Sequence, residues 1–259
     1  MIRFDNIHQH ERRLQKEISW LLREKYDGKS DEGFKKDVER LKYGEPIDYV
    51  IGFSDFLGCR INLSKKPFIP RPETEYWTKH AIEDIQKSGK EAVKCLDLFA
   101  GSGCVGIAIL SHIPGARVDF AERNKKFCGQ IKKNLVVNKI DPSRYRIIPS
   151  NIFSRISGTY HYIFANLPYV PEQRKQRVQK SVLSWEPKEA VFGGDDGLFY
   201  IRKTLYAAPQ HLKKGGKLFM EFDSPQKKDI GLLLTDTGFS RFSFFRDQYG
   251  RWRYIIVVK

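Results

Sequence analysis

The chain has 259 residues, of which 41% are hydrophobic and 30% are charged, and its formal net charge is +15. This composition indicates a globular protein with a sizeable core and excludes a disordered chain. No apolar run approaches the length of a membrane helix, and the charged first residues lack the apolar core of a secretory signal, so we expect a cytoplasmic protein with no membrane partner.

The N-terminal quarter of the chain predicts a short helical region followed by a hairpin. A helical pattern before the turn-rich "YDGKSDEG" places four apolar side chains on one face: Ile7, Leu14, Ile18 and Leu21. A second helical pattern runs to about residue 43, and "YVIGFSDFLGCRINLS" has the form of a β-hairpin. We therefore divide the chain into a helical region at 1–45, a linking hairpin at 46–66 and a main domain at 67–259.

Strand-like and helix-like segments alternate through the main domain. The runs "KCLDLF", "ARVDFAE", "YRIIPS" and "YHYIFA" predict four strands, with helices over "CVGIAILSHI" and over the basic "NKKFCGQIKKNLVVNKI". A helix around "LFYIRKTLYAAPQHL", the turn "KKGG", the strand "KLFMEF", a helix around "KKDIGLLLTDT" and two closing strands follow. This order predicts an α/β fold with a seven-stranded, mostly parallel sheet, in which the last hairpin supplies an antiparallel strand.

Three features of the sequence fall at the ends of predicted parallel strands. Gly101 and Gly103 follow the first strand, Glu122 closes the second and Asn166 closes the fourth. Because ligands bind at the carboxyl ends of such strands, we expect one crevice to contain all of them. An acidic residue about 20 positions after a glycine loop is typical of nucleoside-binding folds. Since the glycines do not form GxGxxG, S-adenosylmethionine is a better candidate than a dinucleotide.

The tetrapeptide "NLPY" at 166–169 suggests what such a site does. An amide or aromatic NH2 nitrogen is a poor nucleophile, and acceptors on its hydrogens raise the electron density on nitrogen. Asn166 and the main-chain carbonyl of Leu167 are suitable acceptors, Pro168 stiffens the loop, and Tyr169 offers a flat face for stacking. Taken alone, the same residues also fit a capped turn that leaves the sheet. Together with the glycine loop and Glu122, they favour methylation of an NH2 nitrogen.

Four segments of the chain resemble PrmC/HemK-type peptide chain release factor glutamine N5-methyltransferases. They are "FIPRPETEYW", "LDLFAGSGCVGIAIL", "NLPYV" and "WEPKEAVFGGDDGLFYIRKTL", and the resemblance runs from about residue 44 to the C-terminus. It implies a class I S-adenosylmethionine-dependent methyltransferase fold of the Rossmann-like kind. It also implies methylation of the side-chain amide nitrogen of the glutamine in a release factor Gly-Gly-Gln motif. The spacing of the cysteines and histidines independently implies no metal.

The resemblance also assigns roles to residues of this sequence. The cofactor-binding positions would be Phe99, Ala100, Gly101, Ser102, Gly103, Glu122, Asn151, Ile152 and Asn166. The substrate-binding positions would be Arg71, Pro72, Glu73, Asn166, Leu167, Pro168 and Tyr169. Asn166, Pro168 and Tyr169 would be the catalytic residues. The sequence departs from the family pattern at Phe99, where glycine is usual, at Asn151, where an acidic residue is common, and at Leu167, where proline is usual.

Two alternatives remain open from the sequence. Leu167 also suits an RNA or DNA amino-group methyltransferase that acts on adenine N6 or guanine N2, and a non-catalytic RNA-binding module is a third interpretation. Residues 123–186 hold 13 Lys or Arg against 3 Asp or Glu, a surplus of 13 − 3 = 10 positive charges. That segment is either a solvated basic face or a contact for RNA or the ribosome.

Overall fold

A computed structural model of the chain describes the backbone of residues 2–237, 239 and 241–259, with side chains from residue 11 onward. The helices are α1 (Ile2–Tyr26), α2 (Glu32–Lys42), α3 (Ile47–Ile51), α4 (Pro72–Lys87), α5 (Cys104–His112), α6 (Lys125–Val137), α7 (Lys180–Trp185), α8 (Phe199–His211) and α9 (Lys227–Asp236). The strands are β1 (Phe53–Phe56), β2 (Cys59–Asn62), β3 (Val93–Leu98), β4 (Ala116–Glu122), β5 (Tyr145–Pro149), β6 (Tyr160–Ala165), β7 (Leu212–Glu221), β8 (Arg241–Arg246) and β9 (Trp252–Val258). Among these helices, none combines the length and the apolar character needed to cross a bilayer.

Helices α1, α2 and α3 form a small separate core. Leu21 and Val50 are fully buried there, and Leu14 and Ile18 pack against them, so the predicted apolar face of α1 is confirmed at those positions. The side chain of Ile7 lies outside the described residues. Asp37 ties α1 to α2, because its carboxylate accepts hydrogen bonds from the side chains of Lys25, Tyr26 and Arg40, each at 2.7 Å.

The predicted linking hairpin is confirmed as β1 and β2, which pair antiparallel. It is fastened to α6 through amide side chains spaced one helical turn apart. The side-chain oxygens of Gln130, Asn134 and Asn138 accept hydrogen bonds from backbone N–H groups in and just after the hairpin, at 2.8–3.0 Å. Helix α3 lies within the predicted 46–66 segment, yet it packs with α1 and α2. The domain boundaries at residues 45 and 66 remain predictions.

The main sheet has seven strands in the order β5-β4-β3-β6-β7-β9-β8. The first five strands of that order run parallel, and β9 is antiparallel to both of its neighbours, as predicted. Since β3 lies between β4 and β6, the chain order reverses at β3, which makes the carboxyl end of β3 the switch point of the sheet. Two apolar layers cover the faces of the sheet, one with α4, α5 and α6 and the other with α8 and α9.

Two parts of the sheet region differ from the sequence-based prediction. Helix α4 has no counterpart among the predicted elements, although its side chains at 74, 77, 78, 81, 82 and 85 form one buried face. The turn predicted at "KKGG" is wrong, because those residues lie inside β7. Gly215 has a φ of 72°, and the backbone of Gly215 and Gly216 exchanges hydrogen bonds with Lys259 at 2.9 and 3.0 Å. Residues 213–216 fall between the pairs Tyr160–Leu212 and Tyr162–Lys217, where the register of β6 and β7 shifts.

Candidate active site

A pocket opens at the carboxyl ends of β3, β4 and β6, where the sequence predicted a crevice. The predicted site residues that line it are Phe99, Ala100, Gly101, Ser102, Glu122, Asn151, Ile152, Asn166 and Pro168. The other predicted site residues, namely Arg71, Pro72, Glu73, Gly103, Leu167 and Tyr169, are not among those that line it. The structure thus brings together the three strand-end features, whereas several predicted substrate-binding residues do not line the pocket.

Glu122 holds the glycine loop against the end of β4. Its carboxylate accepts hydrogen bonds from the backbone N–H of Gly101 at 2.9 Å and of Asn124 at 2.7 Å. The side chain is 92% buried, and this burial raises its pKa above the usual value. Each carboxylate oxygen accepts one of these bonds and has further lone-pair capacity. Glu122 therefore can accept two more hydrogen bonds from a ligand in the pocket.

Asp97 is a pocket residue that the sequence reading missed. It lies in β3, is 3% exposed, and accepts a hydrogen bond from the backbone N–H of Gly106 at 2.9 Å. Burial and the nearby charge of Glu122 raise the pKa of Asp97 to about 8. The signal in the sequence was a lone carboxylate inside the apolar run "KCLDLF". With this pKa, Asp97 is largely protonated near neutral pH, and a ligand that carries positive charge would favour its ionised form.

Two pocket residues have left-handed backbone conformations that are unusual for their side chains. Phe99 has a φ of 60° and Ile152 has a φ of 53°. Glycine adopts this region without the steric cost that a side chain incurs. The Phe99 ring packs edge to face on Tyr200, at 5.4 Å between centroids, and both side chains line the pocket. Backbone strain of this kind persists where the surrounding structure imposes it, commonly at binding sites.

The loop after β6 presents Asn166 to the pocket. The Nδ2 atom of Asn166 donates a hydrogen bond to Thr74 Oγ1 at 2.9 Å, which leaves Oδ1 as an acceptor. Leu167 is 1% exposed and packs in the core, so its side chain is structural. Tyr169 donates from its hydroxyl to Glu221 at 2.9 Å. The predicted stacking role of Tyr169 therefore has no direct support from its placement and stays a prediction.

The "VFGGDDG" stretch at residues 191–197, here called the brace, forms backbone hydrogen bonds with the segment that follows Asn166. The backbone N–H of Gly193 donates to the carbonyl of Val170 at 2.9 Å, and the N–H of Val170 donates to the carbonyl of Val191 at 3.0 Å. A Cβ atom on Gly193 would lie 2.5 Å from the carbonyl oxygen of Pro168, closer than any real contact. The absence of a side chain at Gly193 thus allows the brace to reach the loop that carries Asn166.

Two loops distant in sequence meet beside the pocket. Glu186 is 5% exposed, accepts a hydrogen bond from the backbone N–H of Ile69 at 3.1 Å, and forms an ion pair with Arg71. Phe68 and Pro70 line the pocket from one of these loops, and Glu189 and Ala190 line it from the other. Arg71 therefore supports the pocket through Glu186 from a position outside the lining.

The described side chains contain no group of three His, Cys, Asp or Glu residues that could hold a metal ion. Cys59, Cys95 and Cys104 are buried, and Cys128 is half-buried. Burial raises the pKa of the Cys104 thiol to about 12, so this pocket residue stays protonated near neutral pH.

Comparison with known proteins adds to this geometry. A family profile of the methyltransferase small domain matches residues 77–188. The release factor glutamine methyltransferase of Flavobacterium psychrophilum is 32% identical over 222 residues, which cover 84% of this chain and 77% of that protein. The release factor glutamine methyltransferase of Bifidobacterium longum is 30% identical over 238 residues, which cover 87% and 80%.

A solved methyltransferase from Pyrococcus furiosus shares the fold. It superposes with a TM-score of 0.54 at 18% identity, over 85% of this chain and 95% of that one. The sequence identity is too low for this likeness to bear on substrate. The predicted Rossmann-like methyltransferase fold is confirmed.

Proposed function

The chain belongs to the release factor glutamine methyltransferase family, and from this membership we propose that it methylates the side-chain amide nitrogen of the glutamine in a release factor Gly-Gly-Gln motif. The observation that carries the proposal is the fixed amide of Asn166, whose Nδ2 is bonded to Thr74 and whose Oδ1 is left to accept. A release factor substrate would place the reaction in the cytoplasm, at translation termination.

The pocket fits S-adenosylmethionine as the cofactor. Asp97 and Glu122 place two carboxylates in it, and the charge of Glu122 helps raise the pKa of Asp97. A cationic ligand would relieve this repulsion. We assign the ribose to Glu122, the adenine side to Asn151 and Ile152, and the remaining part to the loop from Phe99 to Gly103. S-adenosylmethionine supplies the electrophilic methyl group when it is bound.

The protein's own part in the reaction is to orient the glutamine amide. In the proposed arrangement, Asn166 Oδ1 and the main-chain carbonyl of Leu167 accept the two hydrogens of the substrate NH2 group. Two acceptors raise the electron density on the amide nitrogen and restrict its rotation. Pro168 limits the backbone freedom of the loop, so that the acceptors are preset. Arg71 supports the substrate side of the pocket through its ion pair with Glu186, and Pro72 and Glu73 stay predicted substrate contacts.

The direct test is methylation of a purified release factor. We expect isotope-labelled methyl from the cofactor to appear on the Gly-Gly-Gln glutamine, as mapped by mass spectrometry. A release factor with Gln→Asn at that site should react poorly, because its amide is one methylene shorter. Total RNA is incubated in parallel. Methyl incorporation into RNA and not into the release factor would replace this proposal with the nucleic-acid alternative, which the relatives do not favour.

A first prediction concerns cofactor affinity. Glu122→Ala should weaken S-adenosylmethionine binding about tenfold or more, since a hydrogen bond to a charged group contributes about 1.5–3 kcal/mol. Glu122→Gln is the control that keeps one acceptor oxygen for Gly101, and it should lose less affinity than the alanine variant. Isothermal titration calorimetry measures both. Equal affinity in all three proteins would remove Glu122 from the cofactor site.

We also propose that the 3₁₀-helical turn at Glu172–Arg177 contacts RNA near the bound release factor. Lys175 and Arg177 are exposed there, and the backbone N–H of Glu172 donates to Gly194 in the brace of the Asn166 loop at 3.0 Å. Other cations of the basic 123–186 segment are used internally: Arg144 donates to three backbone carbonyls, and Arg146 pairs with Asp119. The exposed positive charges of this segment therefore include a cluster, with Lys175 and Arg177, beside the substrate side of the site.

A second prediction tests this contact. If Arg174, Lys175 and Arg177 bind phosphates, the logarithm of RNA affinity should fall steeply with the logarithm of salt concentration. Charge reversal at the three positions should flatten that slope by about 2–3. The same reversal at Lys35, Lys36 and Lys42 of α2 changes the net charge equally and should leave the slope unchanged. Fluorescence anisotropy with single-stranded RNA provides the measurement. A slope near zero in the parent protein would favour a solvated face.

A further inference from the structure

A buried carboxylate at the end of β7 lies directly behind the Asn166 loop. Glu221 is 2% exposed and accepts hydrogen bonds from Thr74 Oγ1 at 2.7 Å, Trp77 Nε1 at 2.8 Å and Tyr169 Oη at 2.9 Å. Thr74 and Trp77 lie three residues apart on the buried face of α4, which brings both donors to the same oxygen, Oε2. None of these contacts has a part in the chemistry described so far.

The indole of Trp77 decides the direction of the hydrogen bonds in this network. An indole N–H donates and has no lone pair to accept with, so the Glu221 oxygen that it meets must be an acceptor. Thr74 meets the same oxygen, and when that oxygen bears no proton of its own, Thr74 donates its hydroxyl proton to it. This holds whether Glu221 is ionised or carries a proton on Oε1, because Oε2 accepts in both forms.

With its proton used in this way, Thr74 has only lone pairs to offer to Asn166. The Asn166 atom at 2.9 Å from Thr74 Oγ1 must then be the amide nitrogen, and not the oxygen. An asparagine amide that is free to rotate by 180° exchanges donor and acceptor at almost no steric cost. In the reversed orientation, Asn166 would present N–H groups to the NH2 group of a substrate, and two donors repel. The direction of one amide therefore decides whether the pocket can hold its substrate productively.

We propose that Thr74 is a positioning residue. Its hydroxyl group donates to the fixed acceptor at Glu221 and accepts from Asn166, which holds the Asn166 amide with its oxygen available to the substrate. The inference rests on the proposed function of the pocket. Thr74 lines the pocket but is only 1% exposed, and its hydroxyl group is bonded to both Glu221 and Asn166. It acts on the reaction through Asn166 and contributes no chemistry of its own.

Thr74→Val tests the lock, because valine has nearly the shape of threonine and lacks the hydroxyl. We expect kcat for release factor methylation to fall about 10- to 100-fold, as the Asn166 amide loses its fixed direction, with a much smaller change in cofactor Kd. Thr74→Ser keeps the hydroxyl and should restore at least a third of the activity. Loss of activity in the serine variant as large as in the valine variant would overturn the proposal.

A matched control stands one helical turn away. Thr78 is fully buried in the same helix, and its hydroxyl donates to the backbone carbonyl of Thr74 at 2.7 Å. Thr78→Val makes the same chemical change at equal burial without touching Asn166, so it should retain kcat within about threefold of the parent enzyme. Thermal unfolding of both variants shows whether each is folded at the assay temperature.

A double-mutant cycle separates positioning from direct contact with substrate. If Thr74 acts only through Asn166, adding Thr74→Val to Asn166→Ala should lower kcat by less than about twofold further. Full additivity of the two losses would show that Thr74 acts independently and would overturn the proposal. A parent protein that fails to methylate any release factor would instead refute the proposed function. These two failures are therefore distinguishable.

Discussion

Replacing Asn166 with alanine is expected to reduce kcat for methyl transfer by about 10²–10³-fold, the usual effect of deleting one preorganised polar group at a reacting centre. Alanine removes the acceptor for the substrate amide while it keeps the main-chain carbonyl of Leu167. The carboxylates assigned to the cofactor, Asp97 and Glu122, lie on other strands. The affinity for S-adenosylmethionine should therefore change less than about threefold.

The experiment combines steady-state methylation of a release factor with calorimetric titration of the cofactor. Asn138→Ala is a suitable control, because Asn138 bonds the hairpin backbone through its amide and does not line the pocket. It should retain kcat and lose only stability. An Asn166→Ala enzyme with parental kcat would remove the side chain from the reaction and leave the loop backbone as the only candidate.

Gly193→Ala should reduce kcat by at least about tenfold, although residue 193 does not line the pocket. The new methyl group would lie 2.5 Å from the carbonyl oxygen of Pro168 and 2.7 Å from that of Gly197. Both atoms belong to the backbone, so neither can rotate away. The brace and the Asn166 loop must separate, and a displacement of about 1 Å in a reacting group can cost about 10²-fold in rate.

Gly231→Ala provides the matched control for Gly193→Ala. Gly231 lies in α9, and a Cβ atom built there meets no atom within 4 Å. Alanine favours the helix by up to about 1 kcal/mol over glycine, so the control should be as stable as the parent protein or more stable, with unchanged kcat. If Gly193→Ala keeps full kcat and a parental melting temperature, the brace does not position the loop.

The sequence predicted those helices and strands in which apolar residues recur at a clear helical or strand spacing. The strand ending at Glu122 was predicted at its observed bounds, because the apolar run "ARVDFAE" stops at a carboxylate. Helix α4 was missed because threonines at 74 and 78 interrupt its apolar face, and only the folded structure shows them buried with Trp77. The predicted turn at "KKGG" was wrong because glycines also occur in bulges, and pairing with the end of β9 decides between the two.

The residues of the site can likewise be separated into those that the sequence predicted and those that it did not. Gly101, Glu122 and Asn166 were predictable, because each follows a strand and the ends of parallel strands meet. Asp97 was missed because it lies inside the run "KCLDLF" and not at its end, so a lone carboxylate among apolar residues was its only signal. Glu221 ends a strand as Glu122 does, but two of its three partners come from α4, 147 and 144 residues earlier in the chain. A contact over such a distance has no signature in local sequence.

The contact between α4 and β7 also bears on when activity can appear during synthesis. Thr74 and Glu221 are 147 residues apart, and Ile69 and Glu186 are 117 apart. Contacts between such distant residues form late in folding, because the intervening loop must close first. A chain made from its N-terminus can complete its cofactor loop early, since Gly101 and Glu122 are only 21 residues apart. The nascent protein should thus gain a cofactor loop well before it gains the oriented amide that acts on the substrate.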